Sequence, residues 1–119
     1  MFIGGCGYFF EGDGSDMLHC FDALSQLPDD TKVYAGHEYA LANYEWSSRV
    51  ERANTKIQER LAWARGERNA GRAITSTVGI EKETNVFMRA ESLMSLTGAA
   101  NPVDSMTTLR QWKNSKKTL

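Results

Sequence analysis

The 119-residue chain is 41% hydrophobic and 24% charged, with a net charge of −1. This suits one soluble globular domain and excludes collagen-like, low-complexity and disulfide-scaffold classes. No apolar run approaches the ~20 residues of a membrane span, and "MFIGGCG" lacks the basic stretch of a secretory signal. The small net charge conceals two unlike parts: residues 1–46 hold eight acids against Lys32 alone, and residues 47–119 hold thirteen Lys or Arg against seven acids. The first part suits a cation, the second an anionic small molecule or nucleic acid; solvated helices can also differ this way by chance.

In chain order, Phe2-Ile3 reads as the end of a strand entering the glycine turn "GGCG", and "YFFEGDG" as a loop. Ser15 is expected to cap a helix whose Met17, Leu18, Phe21 and Leu24 recur at helical spacing, with Pro28 beyond its end. "TKVYA" reads as a second strand, so residues 1–36 form one βαβ-like crossover. After His37, "EYALANYEWSSRV" predicts a short helix. "TKIQERLAWARGER" predicts the strongest one, with Thr55 and Gln58 as a capping box and Ile57, Leu61 and Ala64 on one face. "NAGRAITSTVGIEKE" reads as a loop, and "FMRAESLMSLTG" as a helix closed by Gly98. In "NPVDSMTTLRQWK", Asn101 caps, Pro102 opens the helix, and Val103, Met106 and Leu109 face inward. The chain thus changes from α/β to all-helical near residue 37. Two strands and one helix cannot bury a core alone, so the opening strand suggests the end of a longer chain.

His37 follows a predicted strand, where ligands gather in α/β folds, and Gly36 before it permits close backbone approach. It reads as a metal ligand or general base, with a satisfied, partly buried histidine as the bland alternative. His19, on the first helix, is expected to be exposed. The chain has no H-x-H, H-E-x-x-H or C-x-x-C, so spacing argues against a self-sufficient zinc site. Cys6 and Cys20 are expected as reduced thiols packed like small apolar residues, which fits a reducing compartment. A Cys6 nucleophile with His37 as base lacks any local sign of a lowered thiol pKa. Arg110 and Lys113, at i and i+3, share a helix face and can clamp a carboxylate or simply complement the helix dipole. Tyr8, Phe9, Phe10, Tyr39 and Tyr44 can line a pocket or a core. No phosphate-binding glycine loop and no nucleic-acid-binding signature is present.

"FIGGCGYFFEG", "LPDDTKVYAGHEYALANYEW", "NTKIQERLAWA", "NVFMR" and the final R-x-x-K together resemble the C-terminal part of glyoxalase II, over nearly all of the chain. These are the hydroxyacylglutathione hydrolases of the metallo-β-lactamase superfamily. The resemblance implies an α/β (α+β) fold class: residues 1–37 ending an αββα metal domain, and residues 38–119 forming an all-helical glutathione-binding domain. It implies a binuclear zinc centre, with iron or manganese as alternatives, whose bridging hydroxide attacks the thioester of S-D-lactoylglutathione to give D-lactate and glutathione. On this resemblance His37 is a metal ligand, Tyr39 contacts glutathione, Arg110 and Lys113 hold its carboxylate, and Tyr8 and Phe10 line the pocket. A monomer in full-length form is implied, cytoplasmic or alternatively mitochondrial, without nucleic-acid or membrane partners.

The departures are specific. The family's T-H-x-H-x-D-H motif, its next histidine ligand and its bridging aspartate do not occur in these 119 residues, leaving His37 as the one matching ligand. Tyr8 stands where members usually carry a basic residue, Phe10 where many carry tyrosine, and Val86 where "N-P-F-M-R" has proline. The expectation is therefore a chain that carries the substrate-binding part of a thioester hydrolase and is inactive alone. The alternative is a truncated, catalytically inactive product acting as a glutathione-binding or interaction module.

Overall fold

The computed structural model describes residues 1–8, 12–35 and 39–115. The elements are α1 (Gly14–Ser25), β1 (Lys32–Val33), α2 (Ala40–Val50), α3 (Thr55–Asn69), β2 (Ser76–Thr77), α4 (Val78–Thr84), a 3-10 turn at Val86–Arg89, α5 (Met94–Thr97) and α6 (Pro102–Asn114). The fold is mostly helical. α2 packs on α3 and α1 on α6, and the 3-10 turn lies between α1, α4 and α6. One apolar cluster gathers Phe21, Trp46, Ile57, Phe87, Met106 and Leu109; a second gathers Ile3, Tyr44, Leu61, Ala64 and Ile74. No helix among the described residues is long and apolar enough to cross a membrane.

The expected βαβ crossover is not what the described residues form. β1 pairs antiparallel with β2, with Lys32 opposite Thr77 and Val33 opposite Ser76. Phe2 makes only a bridge to Gly5, three residues on, closing a turn in which Gly4 has φ 74°. That conformation favours glycine because it lacks a Cβ. Side chains, not a neighbouring strand, satisfy this segment's backbone. The Gly4 N–H donates to Glu81 Oε1 (2.8 Å), and Asn43 Nδ2 donates to the Ile3 carbonyl (3.1 Å). Asn85 Nδ2 donates to the Gly5 carbonyl (3.2 Å) and Arg110 Nη1 to the Cys6 carbonyl (2.6 Å). Buried backbone groups need partners, and these four residues supply them from α2, α4, the start of the 3-10 turn and α6. The segment is thereby fixed on the helical body.

Helix caps differ from expectation by one or two residues. Asp13, not Ser15, caps α1: its carboxylate accepts from Asp16 N (3.1 Å), while the Asp16 side chain accepts from Asp13 N (3.0 Å). Asn54, not Thr55, caps α3, its Oδ1 accepting from Lys56 N and Ile57 N. The stretch expected as loop contains β2 and α4, the latter capped by Thr77. The helix expected over "FMRAESLMSLTG" is broken into the 3-10 turn and α5, ending as expected at Gly98 with φ 73°. α6 follows the sequence reading: Asn101 caps, Pro102 opens it, and Met106 and Leu109 are buried. Of the two thiols expected to be packed, Cys6 is buried and Cys20 is exposed on α1. Cys20 follows the apolar face of α1 by a rotation that leaves it facing water. His19 is exposed, as expected.

Candidate functional site

The fixed N-terminal segment, the start of α2 and the second half of α6 enclose a cleft of about 560 Å³. Its walls include Phe2, Cys6, Tyr8, Tyr39, Arg110 and Lys113. The structure therefore brings together four sequence-derived candidates: Tyr8, Tyr39, Arg110 and Lys113. His37 and Phe10 lie outside the described residues.

Each side chain is placed by its element. Tyr39 immediately precedes α2, half exposed, with its ring edge-on to Phe2 at 5.1 Å. Arg110 is 5% exposed. Its Nε donates to Asn114 Oδ1 (2.7 Å) and its Nη1 to the Cys6 carbonyl. The guanidinium carbon lies 4.7 Å from the Tyr8 ring centre and 5.5 Å from that of Phe87, within cation–π range of both. Tyr8 itself is 55% exposed and forms the outer cover of this stack. Lys113, one turn along α6, places Nζ 5.3 Å from the ring centre of Trp46, which stacks on Phe87.

Among the described residues no carboxylate is hydrogen-bonded or ion-paired to Arg110 or Lys113, whereas Arg89 finds Glu51 and Lys82 finds Asp29. Burial, then the charge of Arg110, pulls the Lys113 pKa below its usual value, partly offset by Cys6. A cation that is desolvated beside another cation gains from an incoming anion. The same burial pushes the Cys6 thiol up to about 11, against the lowering effect of Arg110. A thiol so shifted stays protonated at neutral pH, so the surroundings of Cys6 lend the nucleophile alternative no support.

Sequence reasoning missed Glu81, which is fully buried. Its carboxyl accepts from Gly4 N, from Ser76 Oγ (2.7 Å) and from Asn85 Nδ2 (3.1 Å), with a pKa raised by burial. It pins the turn that carries Cys6 and Tyr8 toward the cleft. Lying in a stretch read as loop and followed by Lys82 and Glu83, it looked like one of a run of solvated charges.

Among the described residues no group of three or more His, Cys, Asp or Glu is placed to hold a metal ion. The described part of the chain does not furnish a zinc-binding set; its chemistry is that of an aromatic-walled cleft with a cationic end.

Residues 38–116 match the family model described as hydroxyacylglutathione hydrolase C-terminus. The chain is 42% identical over 118 residues to the cytoplasmic hydroxyacylglutathione hydrolase of Arabidopsis thaliana, covering 96% of this chain and 46% of that protein. It is also 42% identical over 113 residues to the hydroxyacylglutathione hydrolase of Thermosynechococcus vestitus, covering 92% of this chain and 45% of that one. The protein of the same name from Trichormus variabilis is 37% identical over 117 residues. The chain spans about half the length of the curated relatives it matches.

Proposed function

The chain belongs to the hydroxyacylglutathione hydrolase family, and on that premise we propose that its cleft binds the glutathione part of a thioester substrate. The observation that carries this reading is the Arg110–Lys113 pair, which is buried or half-buried and has no carboxylate partner among the described residues. A glutathione carboxylate supplies the missing charge: Lys113 offers a compact ammonium, and Arg110 offers the N–H groups not used on Asn114 and Cys6. The Tyr39 hydroxyl is offered to the peptide backbone of the ligand, and Phe2 and Tyr8 form the apolar walls. Tyr8 in place of a cation leaves the cleft with less positive charge and more stacking surface.

The reaction we assign to the whole protein is hydrolysis of S-D-lactoylglutathione to D-lactate and glutathione. The supports are the family membership and the names of the relatives. Zinc, with iron or manganese as alternatives, belongs to the same proposal, as do His37 as a ligand and an αββα sandwich around residues 1–37. The described residues supply the binding half of such a site and not its metal set. Anchors remote from the thioester hold ground state and transition state alike, so they lower KM without raising kcat. A cytoplasmic setting is proposed from the name of the Arabidopsis relative.

Two measurements on the 119-residue chain test this. Titration with glutathione is expected to release or absorb heat that saturates, and incubation with zinc and S-D-lactoylglutathione to give no turnover. Absence of heat at millimolar glutathione overturns the binding assignment; metal-dependent turnover overturns the division of labour. A second reading, an inactive glutathione-binding or interaction module, is motivated by the lack of a metal-holding group among the described residues. The coding DNA upstream of Met1 separates the two: an in-frame T-H-x-H-x-D-H supports the hydrolase, an in-frame stop the module.

A further inference from the structure

We infer that Glu81, which is not part of the cleft wall, is a positioning residue for the cationic end of the cleft: it holds the Gly4–Cys6 turn, whose last carbonyl fixes Arg110. The inference rests on the glutathione reading of the cleft and adds to it a residue that sets the geometry from outside.

The connection runs through hydrogen bonds between segments far apart in sequence. Glu81 and Asn85 stand four residues apart at the end of α4, both fully buried. Glu81 Oε1 accepts from Gly4 N (2.8 Å) and from Asn85 Nδ2 (3.1 Å), and the same Asn85 amide donates to the Gly5 carbonyl (3.2 Å). The two side chains thus grip the turn by an N–H and by a carbonyl. The next carbonyl, that of Cys6, accepts from Arg110 Nη1 (2.6 Å), while Asn114 Oδ1 accepts from Arg110 Nε (2.7 Å). Two anchors fix the guanidinium plane, and with it the direction of the N–H groups left for a ligand. With the Cys6 carbonyl displaced, one anchor remains, and the guanidinium can swing about it.

Only Oε1 faces the turn. Oε2 accepts from Ser76 Oγ (2.7 Å), which also lies 3.4 Å from the Thr77 carbonyl. A hydroxyl can donate or accept, so Ser76 suits a carboxylate, a carboxylic acid or an amide at this place, and Oε1 holds the turn in each case. Glutamine therefore keeps the grip. Methionine, of similar length, fills the space without an acceptor. It leaves Asn85 with the Gly5 carbonyl and Ser76 with that of Thr77, but it leaves the buried Gly4 N–H without its partner.

The test reads two quantities on the 119-residue chain, well below its melting temperature. One is glutathione affinity by calorimetry. The other is alkylation of Cys6 in a pulse of iodoacetamide, with Cys20 of the same chain as internal standard. Glu81→Met is expected to weaken glutathione binding about tenfold, the size of one lost hydrogen bond to a charged group, and to raise the Cys6 share of the label. Glu81→Gln should restore the parent values of both. Ser76→Ala removes a donor from Oε2 alone, so it should lower the denaturation midpoint with neither quantity changed, a separation that a purely structural role does not give. In Arg110→Met, which has no guanidinium to misplace, adding Glu81→Met should cost no further affinity. Should Glu81→Met not fold, Gly4→Ala disturbs the same turn with the carboxyl intact, through a φ of 74° and a Cβ 3.0 Å from Tyr44 Cε1, and should give the same two changes. Parent affinity in Glu81→Met, or in Gly4→Ala where that variant is read instead, overturns the inference. So does an affinity loss in Ser76→Ala, or a full further loss in the double variant. If the parent chain does not bind glutathione, the cleft reading fails by itself in that first titration. The label then still decides the turn: equal Cys6 labelling in the parent chain and Glu81→Met shows that Glu81 does not position it.

Discussion

Arg110 and Lys113 are neighbours on α6 with different environments, and that difference separates their expected effects. Arg110 is tied to the Cys6 carbonyl and to Asn114 and is sandwiched by Tyr8 and Phe87. Arg110→Met leaves a buried carbonyl unpaired and is expected to cost about 2–3 kcal/mol of stability, seen as a lower denaturation midpoint. Lys113 makes no such tie among the described residues and is partly desolvated, so Lys113→Met is expected to leave that midpoint unchanged or raise it. Glu81 carries the pH dependence. Its pKa in the folded chain is raised above the usual 4.5 by burial, so folding favours its protonated form. Its contribution is fully present below that value and is lost as pH rises through the folded pKa. Denaturant midpoints taken upward from acid pH should therefore decline less in Glu81→Gln than in the parent chain. Parallel curves would show that Glu81 does not titrate as described. The cysteines separate by reactivity: a short pulse of iodoacetamide at neutral pH should alkylate exposed Cys20 and spare Cys6, whose thiol is held near 11. Mass spectrometry of the peptides reads the ratio.

Among the elements, α1 and α6 approach closely where Gly14 meets Val103 and Thr107. A Cβ on Gly14 would fall 2.2 Å from Thr107 Oγ1 and 2.9 Å from the Val103 carbonyl. Thr107 can rotate away, but the backbone oxygen cannot, so Gly14→Ala should push the helices apart at a cost of about 1–3 kcal/mol. Chemical denaturation checks the value; an unchanged midpoint would mean that the crossing has slack. The sequence foretold α6 because its signals are local: Asn101 and Pro102 mark the start, and Met106 and Leu109 the buried face. α4 escaped because seven residues starting V-G-I carry little propensity of their own. Its second residue, Gly79, is held by tertiary contact, with its N–H donating to the Asp29 carbonyl at 2.8 Å. The expected strand at Phe2 failed for a related reason. Beyond the local Phe2–Gly5 pair, its backbone partners among the described residues are side chains from 40 to 104 positions away, and no local pattern encodes them. The same holds at the site: the i, i+3 spacing of Arg110 and Lys113 was visible, but not the burial of Arg110 beneath Tyr8.

At the scale of the whole molecule, the charge division first seen in the sequence acquires a structural basis. The basic residues of the second part include Arg110 and Lys113 at the cationic end of the cleft, neither with a hydrogen-bonded or ion-paired carboxylate among the described residues. Glutathione affinity should therefore fall with added salt, more steeply than the stability of the chain, because an anion is being attracted to a site of like charges. The N-terminal segment belongs to this unit physically, since it forms one wall of the cleft and is bonded to α2, α4 and α6. The most direct test of the cleft as a glutathione site is a calorimetric titration of the 119-residue chain and of Lys113→Met with glutathione at low salt. The account expects saturable binding by the parent chain, at least tenfold weaker binding by the variant, and a melting temperature of the variant no lower than that of the parent chain. Undiminished binding by Lys113→Met, or no binding by the parent chain at millimolar glutathione, would contradict it.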